Sequence, residues 1–400
     1  MSEFSTGRLN VAQNITATDT VTGNVKLPGY TTASKPSTTP GSGLSVFNTE
    51  TDTPEVYNGS SWQDIGTGGK VPTWNTATRP ASGTAIGDVG FNLDDDALEI
   101  WSGADWYPIT ASVASIVATG GDQVIDSNGY RYHVFTSSGT STFTVSAAPA
   151  GSTIEYVIVA GGGAGGGGDV GGGGGAGGFR TNAQGATSGR NSSAEAAMTI
   201  TPGSYTVVVG AGGAGVRSSS SNGGNGGDSS FNGIVSLGGG GGAGWGRGTG
   251  NNGGSGGGAT ANGSVGQGTA GQGFNGGSGL GGGNYPQGGG GGAGGNGESA
   301  PSQSRAGNGG VGLPNPFGAA TQIGQLSGGT YYLAGGGGGG VENNATVGNG
   351  GLGGGGIGGR QNSSTIAGAG QANTGGGGGG EDPEAGGNGG SGVVILRYPA

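Results

Sequence analysis

Residues 153–180 read TIEYVIVAGGGAGGGGDVGGGGGAGGFR, and this stretch decides the fold. Its first part, ending in Tyr156–Ala160, is rich in β-branched and aromatic residues, which is typical of a buried strand. The strand passes directly into glycine repeats that continue to Gly392, where a second apolar run, Val393–Leu396, begins. Of the 113 glycines in the chain, 95 lie in residues 161–400. The fold must therefore order a segment in which about two residues in five lack a side chain.

Three ordered states suit glycine-rich chains, and the sequence excludes two of them. Collagen needs glycine at every third position, but runs such as Gly335–Gly340 break that register. Silk-like sheets need alternating Gly-Ala or Gly-Ser, which long runs of pure glycine do not supply. The third state is polyglycine II, in which each chain is an extended left-handed thread with three residues per turn. We expect packed polyglycine II threads, because only glycine lets such threads approach closely enough to exchange hydrogen bonds on several sides. Threads are predicted to begin near Gly161, Gly171, Gly223, Gly238, Gly288, Gly335, Gly353 and Gly375.

The first half of the chain contains an internal repeat of 44 residues. Its units include FNTETDTPEVYNGSSWQDI, from Phe47, and FNLDDDALEIWSGADWYPI, from Phe91. Each unit is predicted to be a small β-meander: one strand ends in Phe-Asn, a second carries Glu-Val-Tyr or Glu-Ile-Trp, and a third begins at tryptophan. Two or three short strands bury too little apolar surface alone, so the units are expected to stack or to share cores between copies of the chain.

The predicted fold class is all-β with essentially no helix. The expected organisation is an N-terminal arm (1–26), two β repeats (27–69 and 70–110), a β connector (111–160) and a glycine-rich polyglycine II head (161–400) closed by a C-terminal strand.

The charge distribution argues against nucleic acid as a partner. The chain has a net charge of −10, but residues 161–400 hold eight acidic and seven basic side chains and are almost neutral. Phosphate recognition needs clustered lysine and arginine, which this segment lacks. No basic amphipathic helix for a membrane surface is visible either, so no membrane insertion is expected.

The residues needed for common catalytic mechanisms are absent from the sequence. There is no cysteine, and His133 is the only histidine, so we expect no metal site, no cofactor and no nucleophilic triad. A packing or surface role is the more natural interpretation of His133. Asp94–Asp96 is interpreted as a solvated hairpin turn, because its spacing does not fit a calcium loop. A carboxylate pair for glycoside hydrolysis stays open, although Glu381 and Glu384 are more simply a solvated turn. We expect that the protein is not an enzyme.

Several segments resemble the glycine-rich C-terminal domain of bacteriophage tail-fibre and adhesin proteins. They are TIEYVIVAGGGAGGGG, ITPGSYTVVVGAGGAG, GGDSSFNGIVSLGGGGGAG, YYLAGGGGGG and GNGGSGVVILRYP. The 44-residue units resemble modules of phage fibre shafts. The resemblance implies a virion fibre whose distal head presents loops to a glycan or protein on the host surface. It further implies a homotrimer attached to other virion proteins through its N-terminal region.

Between the threads lie segments with larger side chains, and four of these residues are candidates for receptor binding: Trp245, Arg247, Tyr285 and Arg360. Aromatic rings and guanidinium groups suit contacts with glycans and surface proteins. Capping of thread ends is an equally good interpretation of the aromatic residues. An alternative function is a head fibre or decoration protein on the capsid with a mainly structural role. A secreted or matrix structural protein is a third possibility.

Overall fold

The computed structural model describes residues 115–400 apart from 218–220, 246–247, 362–364 and 381–384, together with short segments before residue 115. Those segments are 29–30, 33, 35, 45–48, 50, 53–57, 61–64, 72–80, 88–95, 97–101 and 104–108. The chain forms two compact units, residues 1–113 and 114–400.

The first unit contains two small sheets with the same topology. Their elements are β1 (Gly29–Tyr30), β2 (Ser45–Asn48), β3 (Thr53–Tyr57), β4 (Trp62–Asp64), β5 (Thr73–Trp74), a 3₁₀ turn (Thr76–Thr78), β6 (Val89–Asn92), β7 (Ala97–Trp101) and β8 (Trp106–Pro108). Strands β2–β4 and β6–β8 are the predicted meanders. Each sheet also has a short parallel strand that was not predicted, β1 beside β2 and β5 beside β6. The sequence repeat is therefore a repeat of structure.

A buried polar group explains which residues recur every 44 positions. Glu99 is 2% exposed, and its carboxylate accepts hydrogen bonds from Arg79 (2.7 Å) and Asn92 (3.2 Å). The indole of Trp74 donates to the other oxygen of Glu99 at 3.0 Å. A buried carboxylate is tolerated only with such partners, so these positions must be kept together. In the first repeat, Glu55 forms an ion pair with Lys35 and accepts a hydrogen bond from the Asn48 side chain.

The second unit combines two large β-sheets and two smaller ones with the glycine-rich segment. Its elements are β9 (Val117–Thr119), β10 (Gln123–Ser127), β11 (Tyr130–Phe135), β12 (Gly139–Ala147), β13 (Thr153–Val159), β14 (Phe179–Thr181), β15 (Thr187–Ser188), β16 (Ser192–Ser193), β17 (Met198–Thr199), β18 (Gly203–Val209), β19 (Ser229–Phe231), β20 (Ile234–Ser236), β21 (Leu313–Pro314), α1 (Gly318–Thr321), β22 (Gln325–Ser327), β23 (Thr330–Leu333) and β24 (Val393–Pro399). The first sheet has the order β10-β11-β24-β13-β14, and the second has the order β20-β19-β18-β12-β9. The C-terminal strand β24 thus lies in the middle of its sheet and closes the unit.

Both faces of the central strands β13 and β24 are buried, which explains their mainly apolar sequences. Tyr156 and Ile158 of β13 face the second sheet and pack in a core with Phe143 and Phe231. Val157 and Val159, which alternate with these residues along β13, face a second core. This core includes residues of β21, β23 and the start of α1. The segment 313–333 therefore acts as a third layer over the first sheet.

Strands and glycine threads are continuous in this unit. β13 leads into the thread 161–166, β18 leads into a thread that begins at Gly210, and the last thread leads into β24 at Val393. The sheets therefore fix the position and direction of these threads.

The thread 171–178 lies at the centre of the glycine lattice and shows the polyglycine II geometry directly. Gly172, Gly175 and Gly178 donate backbone hydrogen bonds of 2.8–2.9 Å to one neighbour, the segment 237–243. A spacing of three residues is the period of this helix. The residues between them bond to other neighbours, so the thread donates to three segments and accepts from three more. The six neighbouring segments are 160–166, 237–243, 255–258, 288–291, 337–340 and 375–378.

Glycine is required in these threads because neighbouring backbones leave no room for a Cβ atom. At Gly174, a Cβ would lie 2.2 Å from the carbonyl oxygen of Gly163 and 2.7 Å from that of Ala164. Backbone atoms held in the lattice cannot move aside without breaking their own hydrogen bonds. Alanine occurs inside the lattice only where its methyl group finds space, as at Ala176, which packs in the apolar core beside the first sheet.

Outer threads are joined by side chains at every third residue. In the segment 222–228, which reads NGGNGGD, the side-chain oxygens of Asn222, Asn225 and Asp228 accept from the N–H groups of Gly244, Gly241 and Gly238. A side-chain oxygen thus takes the place that a backbone carbonyl occupies in the interior. Our sequence reasoning missed this pattern, although its period of three is visible in the sequence.

The predicted fold class is confirmed: the protein is all-β with a glycine-rich domain. In the part of the chain that the structure describes, α1 is the only α-helix, and it has four residues.

We expect Gly174→Ala to destabilise the second unit by about 1–3 kcal/mol or more, because the new methyl group overpacks a rigid site. Chemical denaturation of the full chain measures the change. The matched control is Gly281→Ala, where the nearest atom to the new Cβ is the methyl group of Ala261 at 3.5 Å. The control should change stability by less than about 0.5 kcal/mol. Equal effects of the two substitutions would contradict the lattice explanation.

His133 is buried between the two sheets and supplies a second prediction. Its Nδ1 lies 2.6 Å from the carbonyl oxygen of Gly120, and its Nε2 lies 2.8 Å from the hydroxyl of Tyr398. These partners fit a neutral ring that donates from Nδ1 and accepts at Nε2. Burial lowers the pKa of His133, and the nearby charge of Arg131 acts in the same direction, whereas the bond to Gly120 and the charge of Asp126 oppose it.

Below a pH of about 6.5, the unfolded chain therefore binds a proton that folded His133 does not, so stability should fall as the pH decreases. The expected slope reaches at most about 1.4 kcal/mol per pH unit. Comparing chemical denaturation at pH 7.5 and 5.5 tests this, because His133 is the only histidine. His133→Gln should be less stable overall but should lose most of this pH dependence. An unchanged pH dependence in the variant would show that other groups cause it.

Candidate binding surface at the free end of the glycine lattice

The glycine lattice has one end at the sheets and one end formed by turns. The thread 161–166 leaves β13, the chain reverses at 167–171, and the thread 171–178 returns antiparallel to β14. Residues 171–173 therefore mark the end remote from the sheets. Neighbouring threads reach the same end at Ala243, Gly258, Gly288 and Gly340. Their connecting turns must also lie there.

We call this end the loop face. Its described residues include 167–171, 216–217, 221–222, 244–245, 248–249, 260–265, 280–287, 301–305, 341–346 and 360–361.

Within this unit, the chain enters at the end opposite the loop face. Val117 of β9 pairs with Ala147 at one end of β12. Gly139 at the other end of β12 pairs with Val209, directly before the thread that begins at Gly210. The strand β9 therefore lies at the end of the sheet that is remote from the lattice. The loop face is therefore the tip of this unit, at the end opposite β9, where the chain enters the unit.

Of the four residues predicted from the sequence, Trp245, Tyr285 and Arg360 all lie on the loop face. Arg247 lies outside the described residues. The rings of Trp245 and Tyr285 are in contact, with centroids 4.7 Å apart and planes at 87°. Both residues are half-buried. Residues 40 positions apart in the sequence thus form one edge-to-face aromatic pair.

The backbone of Tyr285 adopts a conformation that is unfavourable for an aromatic residue. Its φ angle is 42°, in the left-handed region, which costs roughly 1–2 kcal/mol for a residue with a Cβ. The carbonyl oxygen of Tyr285 accepts a hydrogen bond of 2.6 Å from the side-chain amide of the buried Gln287. Strain that the surrounding structure enforces is frequent at binding sites. It therefore marks Tyr285 as a functional candidate.

Five turns of the loop face contact one another around this pair. The N–H of Trp245 lies 3.4 Å from the carbonyl oxygen of Gly167, and the N–H of Glu342 donates to the carbonyl of Asn284 at 2.8 Å. The side chain of Asn284 in turn donates to the carbonyl of Gln303 at 3.0 Å. These bonds join turns that are distant in sequence, so the surface is held by tertiary contacts.

The electrostatics of this surface depend on two acidic residues that sequence reasoning missed. Burial raises the pKa of Glu342, and the nearby carboxylate of Asp169 raises it further. Asp169 is exposed, and Glu342 is half-buried. No signal in the sequence brings them together, because 173 residues separate them and each is the only acidic residue of its turn.

Arg360 lies in another turn of the loop face. Among the described residues, its contacts are with Val341 and Thr365 rather than with the aromatic pair. It forms a bridge with Val341, and its N–H donates to the carbonyl of Thr365 at 3.0 Å. Its Nε atom is buried and has no hydrogen-bond partner within the described part of the chain. The structure thus places Arg360 close to the lattice rather than fully in solvent.

The other sequence candidates are placed as follows, each within its own unit. His133 belongs to the core of the sheets, and Asp94 accepts hydrogen bonds from the Asn75 side chain and the Thr76 N–H, which lower its pKa. Asp96, Glu381 and Glu384 lie outside the described residues. Among the residues that are described, no group of three or more histidine, cysteine, aspartate or glutamate side chains could hold a metal ion. The described helices include none with the length and apolar character to cross a membrane.

Comparison with known proteins agrees with the lattice architecture. No curated protein matches the chain. The model of one family, described as a glycine-rich domain, matches residues 136–399 and so includes most of both sheets, the lattice and β24. This match covers more than half of the chain, and the chain therefore belongs to the glycine-rich domain family.

Proposed function

We propose that this protein is a virion fibre, most simply a bacteriophage tail fibre, that binds a host surface receptor through the loop face. The observation that carries the proposal is the Trp245–Tyr285 pair, which tertiary contacts assemble at the tip of a rigid lattice. Partly exposed aromatic residues at a tip are the kind of feature that recognises partners. The repeated β-meanders of the first unit fit a shaft module.

The lattice supports this function by holding the turns in place before binding. Backbone hydrogen bonds fix both ends of each turn, as in the turn 280–287, where Leu280 donates to Pro286 and Gln287 donates to Gly340. A preorganised surface loses less conformational entropy when it binds. The turns can also vary in sequence without affecting the interior threads, because the interior bonds use backbone atoms only.

Other parts of the proposal rest on charge and resemblance. Residues 161–400 are nearly neutral, which suits a glycan or a protein of mixed charge rather than nucleic acid. Residues 1–26 would attach the fibre to other virion proteins, and the first unit would support a homotrimer. No catalytic role and no cofactor belong to this proposal.

Binding of the fluorescently labelled full chain to a panel of bacterial strains tests the proposal. We expect binding to a subset of strains. Trp245→Ala combined with Tyr285→Ala should weaken binding to those strains at least tenfold, because the aromatic contact area is lost. Tyr107→Ala is the matched control, since Tyr107 is 52% exposed and belongs to the first unit.

Thermal unfolding of each variant confirms that the lattice is intact. Binding that is equal in the double variant and the wild type would contradict the role of the loop face. Absence of binding to every strain, with the protein located on the capsid by imaging of virions, would favour a head fibre or decoration protein instead.

A further inference from the structure

The turns that carry the aromatic pair and two acidic residues of the loop face form a ring of contacts. Trp245 touches the turn 167–171 through its N–H, and that turn carries Asp169. Asp169 is close enough to Glu342 to affect its titration, and Glu342 is bonded through its N–H to Asn284, the residue before Tyr285. Tyr285 then contacts Trp245 and closes the ring. The turns that carry the two aromatic rings and the two acidic residues therefore meet in one small part of the loop face.

The negative charge of this region is uncompensated within the described part of the chain. Glu155, Glu195 and Glu298 are each paired with an arginine, whereas Asp169 and Glu342 take part in no ion pair among the described residues. Two like charges that approach each other favour binding of a positive group between or beside them. The half-buried position of Glu342 strengthens this preference, because solvent screens its charge less than that of a fully exposed side chain.

The aromatic rings select among positive groups. The faces of tryptophan and tyrosine attract cations with a large, weakly hydrated surface, such as an alkylammonium or a guanidinium group. They offer no ligand atoms of the kind that Mg²⁺ or Ca²⁺ requires, and two carboxylates alone are too few for such an ion. The combination of aromatic faces with carboxylates therefore fits an organic cation better than a metal ion or a neutral group.

We propose that Trp245, Tyr285, Asp169 and Glu342 form a subsite for an ammonium or guanidinium group of the receptor. This inference rests on the proposed function, and it names the chemistry that the loop face recognises. The cation can belong to a lysine or arginine side chain of a surface protein or to an amino sugar, since both present the same charge on an organic group. Asn284 and Gln303, whose side chains bond to neighbouring turns, hold the rim of the subsite.

Ligand-observed NMR titration of the full chain with small probes tests the subsite without a receptor or cells. The cationic probes are Nα-acetyl-lysine methylamide, Nα-acetyl-arginine methylamide and glucosamine. Their neutral counterparts are Nα-acetyl-glutamine methylamide and N-acetylglucosamine. We expect millimolar binding of at least one cationic probe and at least tenfold weaker binding of its neutral counterpart. Preference for the amino acid probes or for glucosamine identifies the source of the cation.

Substitutions connect the binding to the named residues. Glu342→Gln and Tyr285→Ala should each weaken binding of the cationic probe at least tenfold. Asp126→Asn is the matched control for net charge: Asp126 is exposed, is bonded to Arg131 and lies in β10 at the sheet end, so this change should leave the affinity within twofold. A loss of affinity in this control equal to that in Glu342→Gln would overturn the proposal, because overall charge would then explain the binding.

Three further results would overturn the inference. They are equal affinity for cationic and neutral probes, unchanged affinity in Glu342→Gln, and binding of cationic probes only when Arg247 is replaced by alanine. The last result would show that the chain's own guanidinium group fills the subsite. The cell-binding experiment is independent of these outcomes: strain-specific adhesion with no cation preference would refute the subsite alone, and cation binding without adhesion would refute the fibre function alone.

Discussion

The structure depends on hydrogen bonds between the backbones of neighbouring glycine threads. Each interior thread, such as 171–178, donates to three neighbours and accepts from three others, with contacts of 2.8–3.1 Å. A single bond of this kind contributes only about 1 kcal/mol, and ordering glycine costs more entropy than ordering any other residue. The lattice is therefore stable only when many threads assemble together. Its cooperativity explains why one methyl group at an interior position is expected to matter.

The β-sheets provide the apolar burial and the strand positions from which the lattice can form. β13, β18 and β24 carry apolar side chains, so burial of Tyr156, Val207 and Leu396 supplies the hydrophobic driving force that glycine cannot. Because three threads continue these strands, folding of the sheets places the first threads side by side. The central position of β24 also joins the last thread to the first one. The far end of the lattice is then free to carry turns of any sequence.

The candidate site illustrates how far sequence reasoning extends. Residue type alone selects Trp245 and Tyr285, because large aromatic residues are rare among glycines and suit recognition. It does not reveal that they touch, nor that Asp169 and Glu342 lie nearby, because these contacts join turns separated by as many as 173 residues. Arg360 shows the opposite case: its residue type suggests a ligand contact, whereas the structure buries its Nε atom beside the lattice.

By itself, the sequence determined the kinds of local structure. Apolar β-branched runs specify strands, glycine runs exclude helix and sheet interiors, and the 44-residue repeat carries its own buried polar group in Glu55 and Glu99. The spacing NGGNGGD is visible in the sequence, but only the structure shows that its side-chain oxygens accept hydrogen bonds from a neighbouring thread. Only the tertiary structure decided which thread lies beside which and which turns share the loop face. The physical reason is that glycine backbones are chemically identical, so nearly any thread can bond to any other, and side chains elsewhere must fix the arrangement.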